Sequence, residues 1–91
     1  MNIFGINLPQ HYCKDDEKWI AEQLSKLPKK TRTKISASYS DVYINTYNNE
    51  PINHKKENKA RREANSRLRV YVNKYTSVMT GKVSEPPIVT P

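Results

Sequence analysis

Between Ile52 and Met79, apolar side chains recur at steps of three and four residues. At about 100° of rotation per residue, such spacing places them in one stripe and predicts a long amphipathic α-helix. The stripe consists of Ala60, Ala64, Leu68, Tyr71, Tyr75, Val78 and Met79. We therefore expect this helix to bury one side against the rest of the chain and to leave the other side exposed.

A shorter helix is predicted over about residues 15–27. Asp15 or Asp16 can cap the free amide groups of its first turn, and Pro28 forces the preceding residue out of helical geometry. Its apolar side consists of Trp19, Ile20, Leu24 and Leu27. This side gives the first helix a surface to pack against the long helix.

Residues 30–48 fit either a helix or a strand. Their apolar positions follow a helical period at Ile35, Tyr39, Val42, Tyr43, Thr46 and Tyr47. The segment is also rich in β-branched and aromatic residues, and its first apolar positions alternate as they would in a strand. Because the alternation fails at Asp41 and no tight two-residue turn separates candidate strands, we predict a helix.

Together these patterns predict an all-α fold, a small three-helix bundle with a long C-terminal amphipathic basic helix and extended arms at both ends. The helical domain covers residues 14–79, with helices at about 15–27, 30–48 and 52–79. Residues 1–13 lack a helical period, and two adjacent prolines favour an extended tail over residues 80–91. The N-terminal arm either folds back onto the thin core or adds to a partner as an extended segment.

The chain has 91 residues and a formal net charge of +7, and residues 51–79 alone carry +6. Such an excess favours an anionic partner, either nucleic acid or an acidic protein surface. Most of the long helix's positive side chains lie opposite or beside the apolar stripe. We therefore predict a binding surface at Lys55, Lys56, Lys59, Arg61, Arg62, Arg67 and Arg69, with Asn58 and Asn65 as possible contacts to bases or to a partner.

The residues that would support catalysis or metal binding are sparse. His11 and Cys13 alone do not make a zinc site, His54 stands by itself, and two glycines cannot build a phosphate-binding loop. The carboxylates mostly stand beside lysines or arginines, which is typical of solvated charge pairs. We therefore expect no enzyme activity, no catalytic or metal site, no cofactor and no small-molecule substrate.

The environment of the chain follows from what it lacks. A single cysteine excludes an internal disulfide and fits a reducing compartment, and no apolar run is long enough to cross a bilayer. The N-terminus does not have the basic and apolar regions of a secretory signal. The narrow apolar stripe, rich in alanine and tyrosine, suits packing against a helix better than binding a membrane surface. We expect a cytoplasmic protein without a membrane partner.

The central half of the chain resembles small basic helical proteins encoded by bacteriophages and prophages. The resemblance lies in Leu27-Pro28, in Glu50-Pro51 and in the run from Glu57 to Asn65, together with the series Tyr39, Tyr43 and Tyr47. It brings no assigned activity, so no functional residue is carried over. It implies a bacterial host cell and a protein that acts by occupying a surface.

Two functions therefore remain open at the level of sequence. The first is a non-enzymatic protein that binds the nucleic acid backbone through the Lys/Arg face of the last helix. The second is an inhibitor or adaptor that docks on a host nuclease, helicase or CRISPR complex as an anti-defence protein, with charge steering the encounter. Both require that Arg62 and Arg69 are not bound to internal carboxylates. The pattern does not indicate an oligomeric state.

Overall fold

The computed structural model describes the backbone of residues 8–79 and the side chains of residues 8–77. Three α-helices follow one another: α1 is Glu17–Ser25, α2 is Lys29–Asn49 and α3 is Lys56–Met79. Two 3₁₀ turns, Lys14–Asp16 and Asn53–Lys55, lead into α1 and α3. Residues 8–79 contain no strand. The prediction of an all-α fold is confirmed.

Helix α2 resolves the ambiguity between helix and strand, and the strand alternative is wrong. Its tyrosines at steps of four residues stack in series, with ring centroids 6.4 Å apart between Tyr39 and Tyr43 and 6.3 Å apart between Tyr43 and Tyr47. A helix places residues four apart on the same face, where aromatic rings can contact each other. The stacking of these tyrosines, which requires a helix, therefore outweighs the preference of β-branched and aromatic residues for strands.

The start of α1 differs from the prediction that an aspartate caps it. Asp16 is the N-cap residue, but its side chain makes no capping hydrogen bond and turns towards α3 instead. The other end of α1 has a cap that the sequence did not reveal. Arg32 donates from Nε to the carbonyl oxygen of Leu24 at 3.1 Å and from Nη2 to that of Leu27 at 2.9 Å. The Leu24 carbonyl also accepts the Leu27 amide at 3.0 Å, so Arg32 adds a second hydrogen bond to Leu24 and engages the Leu27 carbonyl beyond the end of the helix.

The core lies where α1 packs against the α2–α3 pair. Helix α1 contributes two large apolar side chains, Ile20 and Leu24, and the turn after it contributes Leu27. Helix α3 contributes two alanines whose small size lets the helices approach closely. The buried cluster consists of Cys13, Ile20, Leu24, Leu27, Tyr39, Tyr43, Ala60, Ala64, Leu68 and Val72. Apart from Cys13, each of these residues belongs to one of the helices or to the turn after α1, so the core holds the three helices together.

The apolar stripe of α3 is partly corrected by the structure. Ala60, Ala64 and Leu68 are buried as predicted, but Tyr71 is 38% exposed and the buried residue is its neighbour Val72. Tyr75 packs against the core from its edge. The predicted stripe residues Val78 and Met79 lie outside the described side chains. The buried line thus advances in steps of four residues along α3.

The N-terminal segment is described from residue 8 onwards. Leu8, Tyr12 and Cys13 belong to the core cluster, and the Ser40 hydroxyl of α2 accepts a hydrogen bond of 2.7 Å from the His11 amide. This part of the predicted arm therefore lies on the core. Residues 1–7 of that arm and the predicted tail at 80–91 lie outside the described residues. Within the described part of the chain, no helix is long and apolar enough to span a bilayer.

Candidate nucleic-acid interface on α3

One side of α3, with the turn before it, carries cations and neutral polar groups and points away from the core. We call it the basic face; it consists of Lys55, Asn58, Lys59, Arg62, Ser66, Arg69 and Asn73. All of these side chains are exposed except the half-buried Ser66. Glu57 lies about 100° or more around the helix from each of them, at 100° per residue. Glu63, whose side chain is 47% exposed, lies about 40° from Lys59 and is paired with Arg67. Every charged side chain of the basic face is therefore positive, and one paired carboxylate borders the face beside Lys59.

A shallow depression of about 420 Å³ lies on this surface. Its walls are formed by Asn58, Arg61, Arg62, Asn65, Ser66 and Arg69. Every one of these side chains is polar, and three of them are guanidinium groups. Such a surface can donate several hydrogen bonds to an anionic oxygen, since each guanidinium presents five N–H groups in a planar fork.

Arg61 does not belong to the freely available part of this surface. Its Nε donates to Asp16 Oδ2 at 2.8 Å and its Nη2 donates to Asp16 Oδ1 at 2.9 Å, a two-bond pairing of guanidinium and carboxylate. The Asp16 side chain is 14% exposed and that of Arg61 is 31% exposed. Charge-assisted pairs with this geometry and limited exposure are strong. The structure thus assigns Arg61 an internal structural partner.

Asn65 belongs to the same internal network. Its Nδ2 donates to Asp16 Oδ2 at 3.0 Å, and its Oδ1 accepts a hydrogen bond from the Tyr39 hydroxyl of α2. Both atoms of the amide are therefore engaged, which leaves little capacity to read a base edge. We call these four residues the Asp16 network; it joins the start of α1 to α2 and α3.

The electrostatics of the Asp16 network follow from its contacts. Hydrogen bonds from Arg61 lower the pKa of the Asp16 carboxyl, and burial opposes that effect without cancelling it. The same pairing raises the pKa of Arg61. Burial, reinforced by the nearby Asp16 charge, raises the pKa of the Tyr39 hydroxyl well above its ordinary value. At neutral pH the network is therefore a carboxylate, a guanidinium and a neutral phenol, the forms that its hydrogen bonds require.

Acid is expected to weaken the fold through Asp16. Because the folded pKa lies below the unfolded value of about 3.9, the ionised carboxylate stabilises the fold fully above that pH. This stabilisation is lost as pH falls through the folded pKa. Urea unfolding of the wild type and of Asp16→Asn should show a difference in unfolding free energy that is constant from pH 7 to pH 5 and shrinks towards pH 2. A difference that grew with acid would contradict the assignment.

The turn between α2 and α3 engages two more of the predicted cations. Lys59 Nζ lies 3.1 Å from Oε1 of Glu50, while Lys56 Nζ donates to the carbonyl oxygens of Tyr47 and Glu50. Glu50 is only 7% exposed, and Oε2 accepts a hydrogen bond of 3.1 Å from the Ile52 amide, which with Lys59 lowers the pKa of this carboxyl. Lys56 is thus a structural residue. Lys59 is 63% exposed and still reaches solvent.

Arg67 lies on the other flank of α3. Its Nη2 donates to Glu63 Oε2 at 3.3 Å, and both side chains are well exposed. An exposed pair at this spacing contributes about 0.3–0.5 kcal/mol and breaks easily. Arg67 is therefore accessible, but it faces a different groove from the basic face.

Arg62 and Arg69 meet the condition that both functional hypotheses set. Among the described residues, neither forms a salt bridge with a carboxylate. Arg69 instead lies over Trp19 of α1, with its guanidinium carbon 5.4 Å from the ring centroid. A cation above an aromatic face keeps its N–H groups free for an additional partner. Arg62, Arg69 and Lys55 are thus the most available cations of the basic face.

Trp19 was predicted only as part of the apolar side of α1, whereas its ring also lies beneath the guanidinium of Arg69. The burial of Glu50 was not predicted either, because a glutamate beside a proline indicates a turn but does not indicate whether the glutamate side chain is buried.

Chemistry at metal ions or at the thiol has little support in the described residues. In that part of the chain, no group of three or more His, Cys, Asp or Glu side chains is placed to hold a metal ion. Cys13 is buried, and burial raises the pKa of its thiol.

Comparison with known proteins adds no assignment to this geometry. No protein-family profile, no curated protein and no solved structure matches the chain.

Proposed function

We propose that this chain is a small three-helix bundle whose long basic helix binds the phosphate backbone of nucleic acid. The observation that supports this most is that all charged side chains of the basic face are cations, and that Lys55, Arg62 and Arg69 are exposed and form no salt bridge with a described carboxylate. A patch of cations that is not neutralised from within repels itself, and an anionic partner relieves that repulsion.

The spacing of these cations supports a backbone contact. Lys55, Arg62 and Arg69 recur every seven residues. At 1.5 Å per residue, neighbours are about 10.5 Å apart along the helix. Phosphates of one DNA strand advance about 3.4 Å each along the duplex axis, so this interval corresponds to about three nucleotides. The neutral side chains between the cations, Asn58, Ser66 and Asn73, can donate to phosphate oxygens without adding repulsion.

Contacts to the backbone explain the site better than base readout. Of the two asparagines predicted as base contacts, Asn65 is engaged by Asp16 and Tyr39, which leaves Asn58. A single asparagine with flexible arginines provides little sequence information compared with several paired readers. We therefore propose binding with weak dependence on sequence.

A salt series tests the proposal. If about four phosphates are neutralised, the logarithm of affinity should fall with the logarithm of salt concentration with a slope of about −3 to −4, close to 100-fold between 50 and 200 mM. Fluorescence anisotropy of a labelled 20-base-pair duplex gives the affinity. Trp19, the only tryptophan in the chain, lies beneath Arg69, and its emission should change with the same midpoint. Negligible binding at 50 mM salt, or binding without any change in emission, would contradict the proposal.

A second candidate is docking of the basic face, together with the end of α2 beside it, on an acidic surface of a host nuclease, helicase or CRISPR complex. Tyr47 favours it, because it is 37% exposed beside Lys56, whose Nζ lies 5.6 Å from the ring centroid. Tyrosine next to a cation is typical of interface anchors. A pull-down from nuclease-treated bacterial lysate separates the two candidates, since only a protein partner survives the treatment.

A further inference from the structure

A second surface lies between α2 and α3, on the side that α1 leaves open. It is a groove of about 740 Å³, and the described residues that line it belong only to α2 and α3. Its apolar floor includes Ile35 and Val42 of α2 with Leu68 and Tyr71 of α3. Tyr71 is 38% exposed, and Ile35 and Val42 are only partly buried. We call this surface the α2–α3 groove.

From this surface we infer that the chain has a second docking site, in which the α2–α3 groove takes an acidic amphipathic helix of a partner protein. This site borders the basic face, with which it shares Arg62 and Ser66, but the inference does not rest on nucleic acid binding.

The dimensions of the groove suit a helix. Along α3 the lining runs from Arg62 to Lys74, about 18 Å at 1.5 Å per residue, which matches a helix of about three turns. The groove walls are helices, whose backbone groups already bond within each helix. An extended segment would leave its own amides and carbonyls without partners there, whereas a helix satisfies them internally.

The charge at the rim selects an acidic helix. Arg62, Arg67 and Lys74 surround the apolar floor, and the one carboxylate in the lining, Glu63, is paired with Arg67. Arg62 and Lys74 form no salt bridge with a described residue, so two unneutralised cations flank the floor. Glutamates or aspartates beside the apolar stripe of a docking helix would meet them.

The same features argue against the other occupants. A second copy of this chain carries the formal net charge of +7, so its approach is opposed by like charge. Nucleic acid would set its phosphates over a floor in which Ile35, Val42 and Leu68 offer no hydrogen-bond donors.

A peptide selection tests the inference. The full-length chain is presented to a displayed library of 16-residue peptides with apolar residues at positions i, i+3, i+4, i+7, i+8 and i+11 of a helical pattern. The remaining positions are drawn from Glu, Lys, Gln and Ala. We expect the enriched peptides to carry more Glu than Lys. No enrichment, or enrichment of Lys-rich peptides, would overturn the inference.

Two variants that place a glutamate at an exposed apolar residue locate the binding. Tyr71→Glu places a negative charge on the floor and should weaken the enriched peptides by about tenfold or more. Ile52→Glu is the matched control, because Ile52 is 42% exposed but does not line the groove. Circular dichroism establishes that both variants fold. Equal weakening in the two variants, or none in Tyr71→Glu, would overturn the inference.

Two measurements exclude the other occupants and separate this inference from the proposed function. We expect sedimentation of the unmodified chain to show no dimer formed through the α2–α3 groove. A dimer that Tyr71→Glu dissociates would mean that a second copy of the chain occupies the groove, and the inference would fail. Peptide binding should persist in Arg69→Gln, in which the basic face is impaired. If duplex DNA displaced the peptides from wild type and Arg69→Gln alike, the groove would belong to the nucleic acid surface and the inference would fail.

Discussion

Replacing Asp16 with alanine should lower the free energy of unfolding by about 2–3 kcal/mol, since it leaves Arg61 without its carboxylate in a half-buried site. The loss of free energy would be larger if the unpaired Arg61 were fully buried, but its side chain is 31% exposed and water screens part of its charge. The variant also removes the acceptor of Asn65 Nδ2, so the contact between α2 and α3 through Tyr39 loses its support. In a domain of this size, the melting temperature should fall by about 10 °C or more.

Chemical and thermal unfolding of Asp16→Ala measure this effect. Asp15→Ala is the matched control, since it removes the same charge from the neighbouring, exposed residue and should change stability by no more than about 0.5 kcal/mol. In a cycle with Arg61→Ala, the double variant should be more stable than the sum of the single losses implies, because each single variant leaves an unpaired charge. An Asp16→Ala protein as stable as the control would show that the Asp16 network does not hold the helices.

Neutralising Arg62 and Arg69 together, as Arg62→Gln with Arg69→Gln, should weaken binding to duplex DNA by about 50- to 100-fold at 100 mM salt. Each lost phosphate contact lowers the number of counterions released on binding by about 0.9, which corresponds to an affinity about eightfold weaker per contact at that salt concentration. The slope of affinity against salt should also become shallower by about 2. Both changes follow from the same physical cause, so they should appear together.

The control for this variant must change the net charge equally without touching the basic face. Lys29→Gln with Lys30→Gln meets that need, because both lysines are exposed in the first turn of α2. Cations there oppose the helix dipole, so their removal should not destabilise α2. A loss of affinity as large in the control as in the arginine variant would mean that net charge, and not the basic face, determines binding.

The sequence predicted the helices well because each one carries its own period and its own stop. The series Tyr39, Tyr43 and Tyr47 identified α2, and the breaker at Glu50-Pro51 separated it from α3. Residue-level burial was harder to predict. Residues four apart on a helix are rotated by about 40° around its axis. A line of buried residues at steps of four therefore moves gradually around the helix and away from a straight apolar stripe. That drift buries Val72 and leaves Tyr71 exposed.

The composition of the site could be predicted only in part. Clustering of charge in residues 51–79 identified the basic face, and Arg62 and Arg69 are free of carboxylates in the described chain as the hypothesis required. The partner of Arg61 is 45 positions away in the chain, and no local pattern specifies which carboxylate a folded helix will approach. Asp16 resembled a capping residue because helix-start signals are local, whereas its actual contacts depend on how the helices pack.

The burial of Cys13 determines how the chain responds to oxidants. A thiol that is shielded from solvent and held protonated is a poor nucleophile, since thiol exchange proceeds through the thiolate. We therefore expect the Cys13 thiol of the folded chain to react slowly with glutathione or with the thiol of a second molecule. Cys13 thus contributes to the fold as a small apolar packing residue, and a reagent that modifies thiols would react with it mainly when the chain unfolds.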